Sequence, residues 1–269
     1  MTYGWDLMQN YRTYGDPPCP VVVVHGGPGA AGEMAPVARE LSRSCGVLEP
    51  LQTEVTLNGQ ISELVDILQK YGSVPVTLVG HSWGAMLGFV VAAGNPGLVK
   101  KLILIGSGPL DEQYASSIMN TRMSRLAPED REELEHLMRL LDNPGTPGKD
   151  GKFARFGEII GRADSFDPVP DAAESIECRH EPFERVWDEM HAMRKSGKLL
   201  SLGTQVVCPV VAIHGDYDPH PVDGVREPLG RVIKNFRCIV LEKCGHTPWT
   251  ERHARDEFFS RLIAELGSY

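Results

Sequence analysis

Five short runs of β-branched and aliphatic residues punctuate the chain: Val21 to Val24, Val76 to Val79, Leu102 to Ile105, Val206 to Ile213 and Cys238 to Leu241. Most show no alternation of apolar with polar positions, which predicts strands buried on both faces of a parallel sheet. Between them the period becomes helical. Ile61, Leu64, Val65 and Leu68 fall at i, i+3, i+4 and i+7 and form an apolar stripe ending at Gly72, and Phe258, Phe259, Leu262 and Ile263 predict another near the end of the chain. Strand and helix alternating in this way predict βαβ units, hence an α/β fold with a mostly parallel central sheet flanked by helices.

The alternation stops between Gly108 and about Leu202, where the sequence turns helical and charged. Pro128 can open a helix there whose Leu134, Leu137, Met138 and Leu141 form a stripe of their own. We therefore expect one sheet domain, residues 1–107 with 202–269, interrupted by a helical insertion over 108–201. Little sequence precedes Val21, so the first strands of the sheet should be short or absent.

Composition narrows the functional classes. With 269 residues, 42% of them hydrophobic and 23% charged, the chain is long enough to bury a core and too apolar for a disordered one. A net charge of -9 argues against nucleic-acid binding, which depends on Lys and Arg neutralising phosphates. The six cysteines form no C-x-x-C pair, so reduced thiols and a cytoplasmic location are expected. Met1 to Gly15 has no basic and apolar leader pattern, and no apolar run is long enough to span a bilayer. An acidic enzyme acting on small substrates fits these features, with no membrane and no nucleic-acid partner.

The candidate chemistry lies in the loops after the predicted strands. Gly80-His81-Ser82-Trp83-Gly84 has the G-x-S-x-G spacing of a nucleophile elbow and sits between the strand Val76 to Val79 and a helical run from Ala85 to Ala93. So tight a turn leaves no space for side chains at 80 and 84. Gly84, Gly88 and Ala92 continue as a small-residue stripe that lets the helix lie close to the sheet. Ser82 is the expected nucleophile. The turn His25-Gly26-Gly27-Pro28-Gly29 directly follows Val21 to Val24, and backbone N–H groups there can stabilise an oxyanion; Gly27 and Trp83 are the expected donors. His246, on the loop after Cys238 to Leu241, is the expected general base. Asp216 and Asp218 both follow the strand ending at Ile213. Asp218 is our choice for the orienting acid, on the chain order Ser82, Asp218, His246, and Asp216 has a natural role as a turn residue.

Together HGGPG at 25–29, GHSWG at 80–84, GDYD at 215–218 and GHTPW at 245–249 resemble the α/β-hydrolase superfamily over nearly the whole chain. HGGPG followed by G-x-S-W-G is most similar to the proline iminopeptidase branch. The resemblance implies an α/β-hydrolase fold, Ser82, Asp218 and His246 as a catalytic triad without a cofactor or metal, and residues 108–201 as a helical cap. The sequence departs from that branch at Cys45 to Gln52, which lacks the usual Asp-Arg-Gly turn, and at His81, where glycine is common. An iminopeptidase must also hold a protonated amine. The run Asp171 to Met190 carries seven acidic residues, and Ile176-Glu177 is similar to the glutamate-bearing cap segment of that branch, which makes Glu177 a candidate amine anchor. Trp249, with Phe183 and Trp187, could line a substrate pocket.

The expected activity is cleavage of a small ester or amide, with release of N-terminal proline from a short peptide as the narrower alternative. A non-catalytic receptor on the same fold is a further class. Gly27-Pro28-Gly29-Ala30-Ala31-Gly32 also satisfies G-x-G-x-x-G, with Glu49 spaced like a ribose-binding acid, but Pro36 interrupts the helix such a dinucleotide site needs. His214, Asp216, Asp218 and His220 alternate along one loop, and alternation alone brings no side chains to a common point.

Overall fold

A computed structural model of the chain describes residues 10–170 and 177–267, with the backbone alone at Glu177. Its main sheet has seven strands in the order β1-β4-β2-β5-β6-β8-β9. These are β1 (Tyr11–Tyr14), β2 (Val21–Val24), β4 (Val47–Pro50), β5 (Val76–His81), β6 (Val99–Ile105), β8 (Val210–Gly215) and β9 (Phe236–Leu241). Every neighbouring pair is parallel except β1 with β4; among the described residues the strand before Val21 is the four-residue β1, which runs antiparallel at the sheet edge. A two-residue strand, β3 (Ala30–Ala31), pairs outside this sheet with β7 (Glu177–Cys178).

The missing alternation in the strands has a direct cause. Val22, Val24, Leu78, Leu102, Leu104, Val210 and Ala212 belong to one buried cluster, which also takes in residues of α2 (Leu57–Tyr71), α3 (Trp83–Gly94) and α9 (Asp223–Val232). The intervening Val21, Val23, Val79, Ile103, Ile105, Val211 and Ile213 join a second cluster with α1 (Ala35–Leu41) and α10 (Arg255–Gly267). Each face of the sheet thus has its own helical layer, so successive residues are apolar whichever way they point.

Two strands depart most from the sequence expectation, while β5, β6 and β9 run two or three residues longer at one end. The run Val206 to Ile213 becomes a strand only at Val210; Val206 ends a 3-10 turn, Val207 is 73% exposed, and Pro209, with no N–H to give, precedes the ladder. The strand Val47–Pro50 has too few β-branched residues to announce itself, yet all four residues are buried between β1 and β2.

Between β6 and β8 the described residues add no strand to the main sheet. They form α4 (Ile118–Arg125), α5 (Pro128–Asp142), α6 (Lys149–Asp164), α7 (His180–Lys195) and the short α8 (Lys198–Ser201). Leu134 and Leu137 of α5 pack with Leu126, Ile159 and Ala163 in a separate small core, so the α5 stripe is buried within the helical segment itself. Val186 and Met190 of α7 instead enter the cluster on the sheet. The β3–β7 ribbon ties this segment to the glycine turn after β2.

Candidate active site

Ser82, Asp218, His246 and Gly27 all lie just beyond the carboxyl ends of parallel strands, where open α/β sheets present their ligand sites. Ser82 follows β5 directly and precedes α3, with φ 50° and ψ -109°, a backbone conformation rarely adopted by a residue with a side chain. The flanking glycines make that turn possible. A Cβ at Gly80 would sit 2.2 Å from the Gly84 carbonyl oxygen, and one at Gly84 would sit 2.3 Å from that of Val24. The Ser82 N–H donates to the carbonyl of Ile105 at 2.9 Å, which pins the turn to the end of β6.

The glycine turn after β2 passes beside Ser82: a Cβ at Gly26 would lie 3.2 Å from Ser82 Cβ. Buried His25 sets its geometry. The Gln52 N–H donates to His25 Nε2 at 3.2 Å, so Nδ1 carries the proton and donates to the Gly26 carbonyl at 2.8 Å. Burial holds the His25 pKa down, in keeping with a neutral ring. Gly27 has φ +49°, which glycine adopts without strain.

On the opposite side, His246 Nδ1 lies 2.8 Å from Asp218 Oδ2. Gly106, next to Ile105, touches His246 closely; a Cβ there would lie 3.1 Å from Nδ1. Ser82 and His246 therefore flank the same point, the end of β6. Among the described residues no hydrogen bond joins the Ser82 hydroxyl to His246, and such contacts commonly tighten only when substrate binds.

Asp218 is buried, and burial alone would raise its pKa. His246, then His220 and His214, outweigh that and hold the carboxyl well below its usual range. His246 shows the reciprocal effect, since burial disfavours its charge but the Asp218 carboxylate prevails and raises its pKa. Asp216 accepts the Cys244 N–H at 3.1 Å and so links the loops after β8 and β9, a contact between loops and not within its own turn. The alternating residues of the β8 loop accordingly do not converge as a set. Asp218, His220 and His246 do lie close, within 4.8 Å atom to atom, and the hydrogen bonds among them account for that closeness.

Two carboxylates that no motif signalled complete the site. Glu33 accepts the Gly26 N–H at 2.7 Å and faces His81 Nδ1 at 3.0 Å, while His81 Nε2 donates to the His246 carbonyl at 3.0 Å. His81 thus connects the glycine turn to the His246 loop. Burial would raise the Glu33 pKa, but the His81 imidazole and the Gly26 N–H bring it down to about 2. Glu251 is fully buried and accepts three backbone N–H groups, those of Phe166, Asp167 and Gly245, at 2.8, 2.8 and 2.9 Å. Neither was visible in the sequence, because a carboxylate that binds backbone leaves no residue pattern.

The substrate-contact candidates fare differently. Trp249 is 4% exposed, with its ring edge-on to His81 at 4.7 Å and beside Phe258, so it packs beneath the site instead of lining it. Trp187 on α7 packs edge-on against Trp83 at 5.6 Å, and Phe183 packs against Trp187. The Trp83 indole N–H is taken by Gln60. The side chain of Glu177 lies outside the described residues, as do Asp171 and Glu174 of the acidic run; the Glu177 backbone pairs opposite Ala31. The dinucleotide reading does not hold. The glycine turn leads into β3 instead of opening a helix, and Glu49 sits within β4 accepting the Tyr14 hydroxyl at 2.6 Å.

Chemically, the arrangement places a carboxylate-oriented imidazole and a serine hydroxyl at one strand end beside a turn of backbone N–H groups. Residues 21–261 match a family described as "Alpha/beta hydrolase family". No curated protein matches the chain. Its fold is similar to that of the crystal structure of VinJ (TM-score 0.69, 19% identity, covering 95% of this chain and 93% of that one). It is also similar to a putative lipase from Acinetobacter baumannii AYE (0.65, 17%, covering 95% and 86%) and to proline iminopeptidase from Mycobacterium smegmatis (0.60, 17%, covering 95% and 93%). At these identities the likeness is one of fold.

Proposed function

Since the chain belongs to the alpha/beta hydrolase family, we propose that it is a serine hydrolase that cleaves a small ester or amide through an acyl-enzyme. His246 takes the Ser82 proton at Nε2, held in tautomer and orientation by Asp218. Ser82 Oγ attacks the carbonyl carbon, and the N–H groups of Gly27 and Trp83 receive the oxyanion. His246 then gives its proton to the leaving group, and water releases the acyl group by the same route. The chemistry needs no cofactor. The observation that carries this reading is the 2.8 Å His246–Asp218 hydrogen bond together with a serine held at φ 50°, both beside the end of β6.

In this reading residues 108–201 are the cap. Two contacts support it: β7 pairs with β3 at the glycine turn, and the Asp164 carbonyl accepts the His246 N–H. Among the described residues no helix is long and apolar enough to cross a membrane, and all six cysteines are free thiols, which suits a reducing cytoplasm.

Labelling with a serine-directed fluorophosphonate tests the mechanism. The protein should be labelled, and Ser82→Ala should abolish both labelling and turnover. An unlabelled, folded protein would point to the receptor class.

The iminopeptidase alternative is favoured by one observation, that residue 177 is brought opposite Ala31, just beyond the glycine turn. Comparing a short-chain aryl ester with an N-terminal prolyl anilide separates the two. A much larger kcat/KM on the anilide, lost in Glu177→Gln, would select the aminopeptidase.

A further inference from the structure

Only one oxygen of Asp218 is needed to orient His246, yet the whole side chain is buried, so the other oxygen must be satisfied by protein. It is satisfied in an unusual way. Asp218 Oδ1 accepts the backbone N–H of His220 at 2.9 Å and also faces the ring Nδ1 of His220 at 2.8 Å. The His220 ring lies against that of His246, with centroids 4.5 Å apart and planes inclined by 31°. His214 braces the turn from β8, donating through Nε2 to the His220 carbonyl at 2.7 Å. A turn needs only the backbone N–H; nothing in chain geometry requires a second imidazole on this carboxylate.

We propose that His220 is a positioning residue that sets the basicity of His246 by hydrogen-bonding the far oxygen of Asp218. The inference rests on His246 being the general base. The ring acts as an uncharged donor: burial lowers its pKa to about 4 against the pull of Asp218, so it carries one proton, on Nδ1, at neutral pH. A neutral donor is the arrangement the chemistry needs. A charged ring 4.5 Å away would oppose the imidazolium that forms on His246, whereas a neutral N–H only draws part of the carboxylate charge towards Oδ1. Removing it leaves more of that charge facing His246, which then holds its proton to higher pH.

The other groups around the pair are the same with or without His220. His214 faces Asp218 from β8, Asp164 raises the His246 pKa from the end of α6, and Arg122 on α4 lowers it. His81 adjoins His246 from the end of β5, Glu33 sits behind His81 from the segment between β3 and α1, and Asp216 lies on the same loop as Asp218.

The test is the pH dependence of kcat/KM on an aryl ester for wild type, His220→Phe and His220→Asn. Phenylalanine keeps the ring contact and removes the donor, while the asparagine amide nitrogen falls where Nδ1 was. His220→Phe should move the acid limb to higher pH, with kcat/KM on that limb about three- to tenfold below wild type. His220→Asn should keep the wild-type limb. If the Phe variant does not fold, His220→Gln, whose amide is one bond too long, takes its place. A limb unmoved in the donorless variant, or equally displaced in the Asn variant, overturns the proposal. Fluorophosphonate labelling of wild type is run beside it, and failure there would instead overturn the serine-hydrolase reading.

Discussion

The backbone N–H of His246 donates to the carbonyl oxygen of Asp164, the last residue of α6, at 2.8 Å. The helical segment between β6 and β8 is therefore hydrogen-bonded to the proposed base itself. The contact is one of several along a single seam. Val169 N–H donates to Thr250, Arg252 N–H donates to Asp167, and a Cβ at Gly245 would lie 2.1 Å from the Asp164 carbonyl oxygen. The end of α6, with the residues just after it, and the His246 loop thus form one folded unit, and mutations in the first should be read out in the second.

Glu251 is the centre of that seam, and its replacement should show the coupling most clearly. Glu251→Ala leaves three buried N–H groups without acceptors, each costing about 1–3 kcal/mol. The variant should lose at least about 3 kcal/mol of stability. It should also lose kcat on the order of 10²-fold, because the loop carrying His246 is no longer held. Urea unfolding and ester turnover measure the two effects; a destabilised protein with wild-type kcat would show that the seam does not reach the base.

Arg122 and Asp164 form a bidentate pair at 2.7 and 2.6 Å, with both side chains largely buried. Removing one partner of such a pair strands the other charge, so Arg122→Ala should destabilise by about 3–5 kcal/mol. Pairing it with Asp164→Asn should recover a good part of that loss. Additive losses in the double-mutant cycle would mean that the two side chains act independently.

Ser82 stores strain. Its φ and ψ of 50° and -109° cost about 1–3 kcal/mol for a residue with a Cβ, and glycine adopts them freely at an unfolded-state entropy cost of about 0.5–1 kcal/mol. Ser82→Gly should therefore be at least as stable as wild type while losing turnover. A fall in melting temperature would show that the turn is not strained.

The legible parts of this protein are those where sequence pattern and local geometry share a cause. Uninterrupted aliphatic runs marked β2, β5 and β6 because both sheet faces are covered, and Gly80 and Gly84 marked the Ser82 turn because backbone passes within a Cβ radius of each. Val47–Pro50 was missed because burial there is imposed by neighbours, not by composition. Glu33 and Glu251 were missed, and His220 was noted only as one of an alternating set, for a related reason. Each acts by binding backbone or another functional side chain across 7, 6 to 85 or 2 residues, and no fixed spacing records that. Asp164 was equally silent, since it contributes a carbonyl oxygen.

Asp218 governs the pH behaviour, and its two effects have opposite signs. The His246 pKa is raised in the folded state because the Asp218 charge and hydrogen bond outweigh burial. The proposed mechanism needs the neutral ring, so the acid limb of kcat/KM should have its midpoint above the ordinary histidine value of about 6.5. The stability that His246 gains from this pairing is present below about pH 6.5 and is lost as pH rises through the raised pKa. Asp218 has a lowered pKa, so its contribution is present above about pH 4 and is lost as pH falls through that lowered value. Asp218→Asn removes both. Its acid limb should fall to lower pH than wild type while kcat drops on the order of 10³- to 10⁴-fold, since Asn can present its N–H and favour the wrong His246 tautomer. Asp216→Asn, which keeps an oxygen for the Cys244 N–H, should leave the limb in place. If the two variants shift the limb alike, Asp218 is not the acid that orients His246.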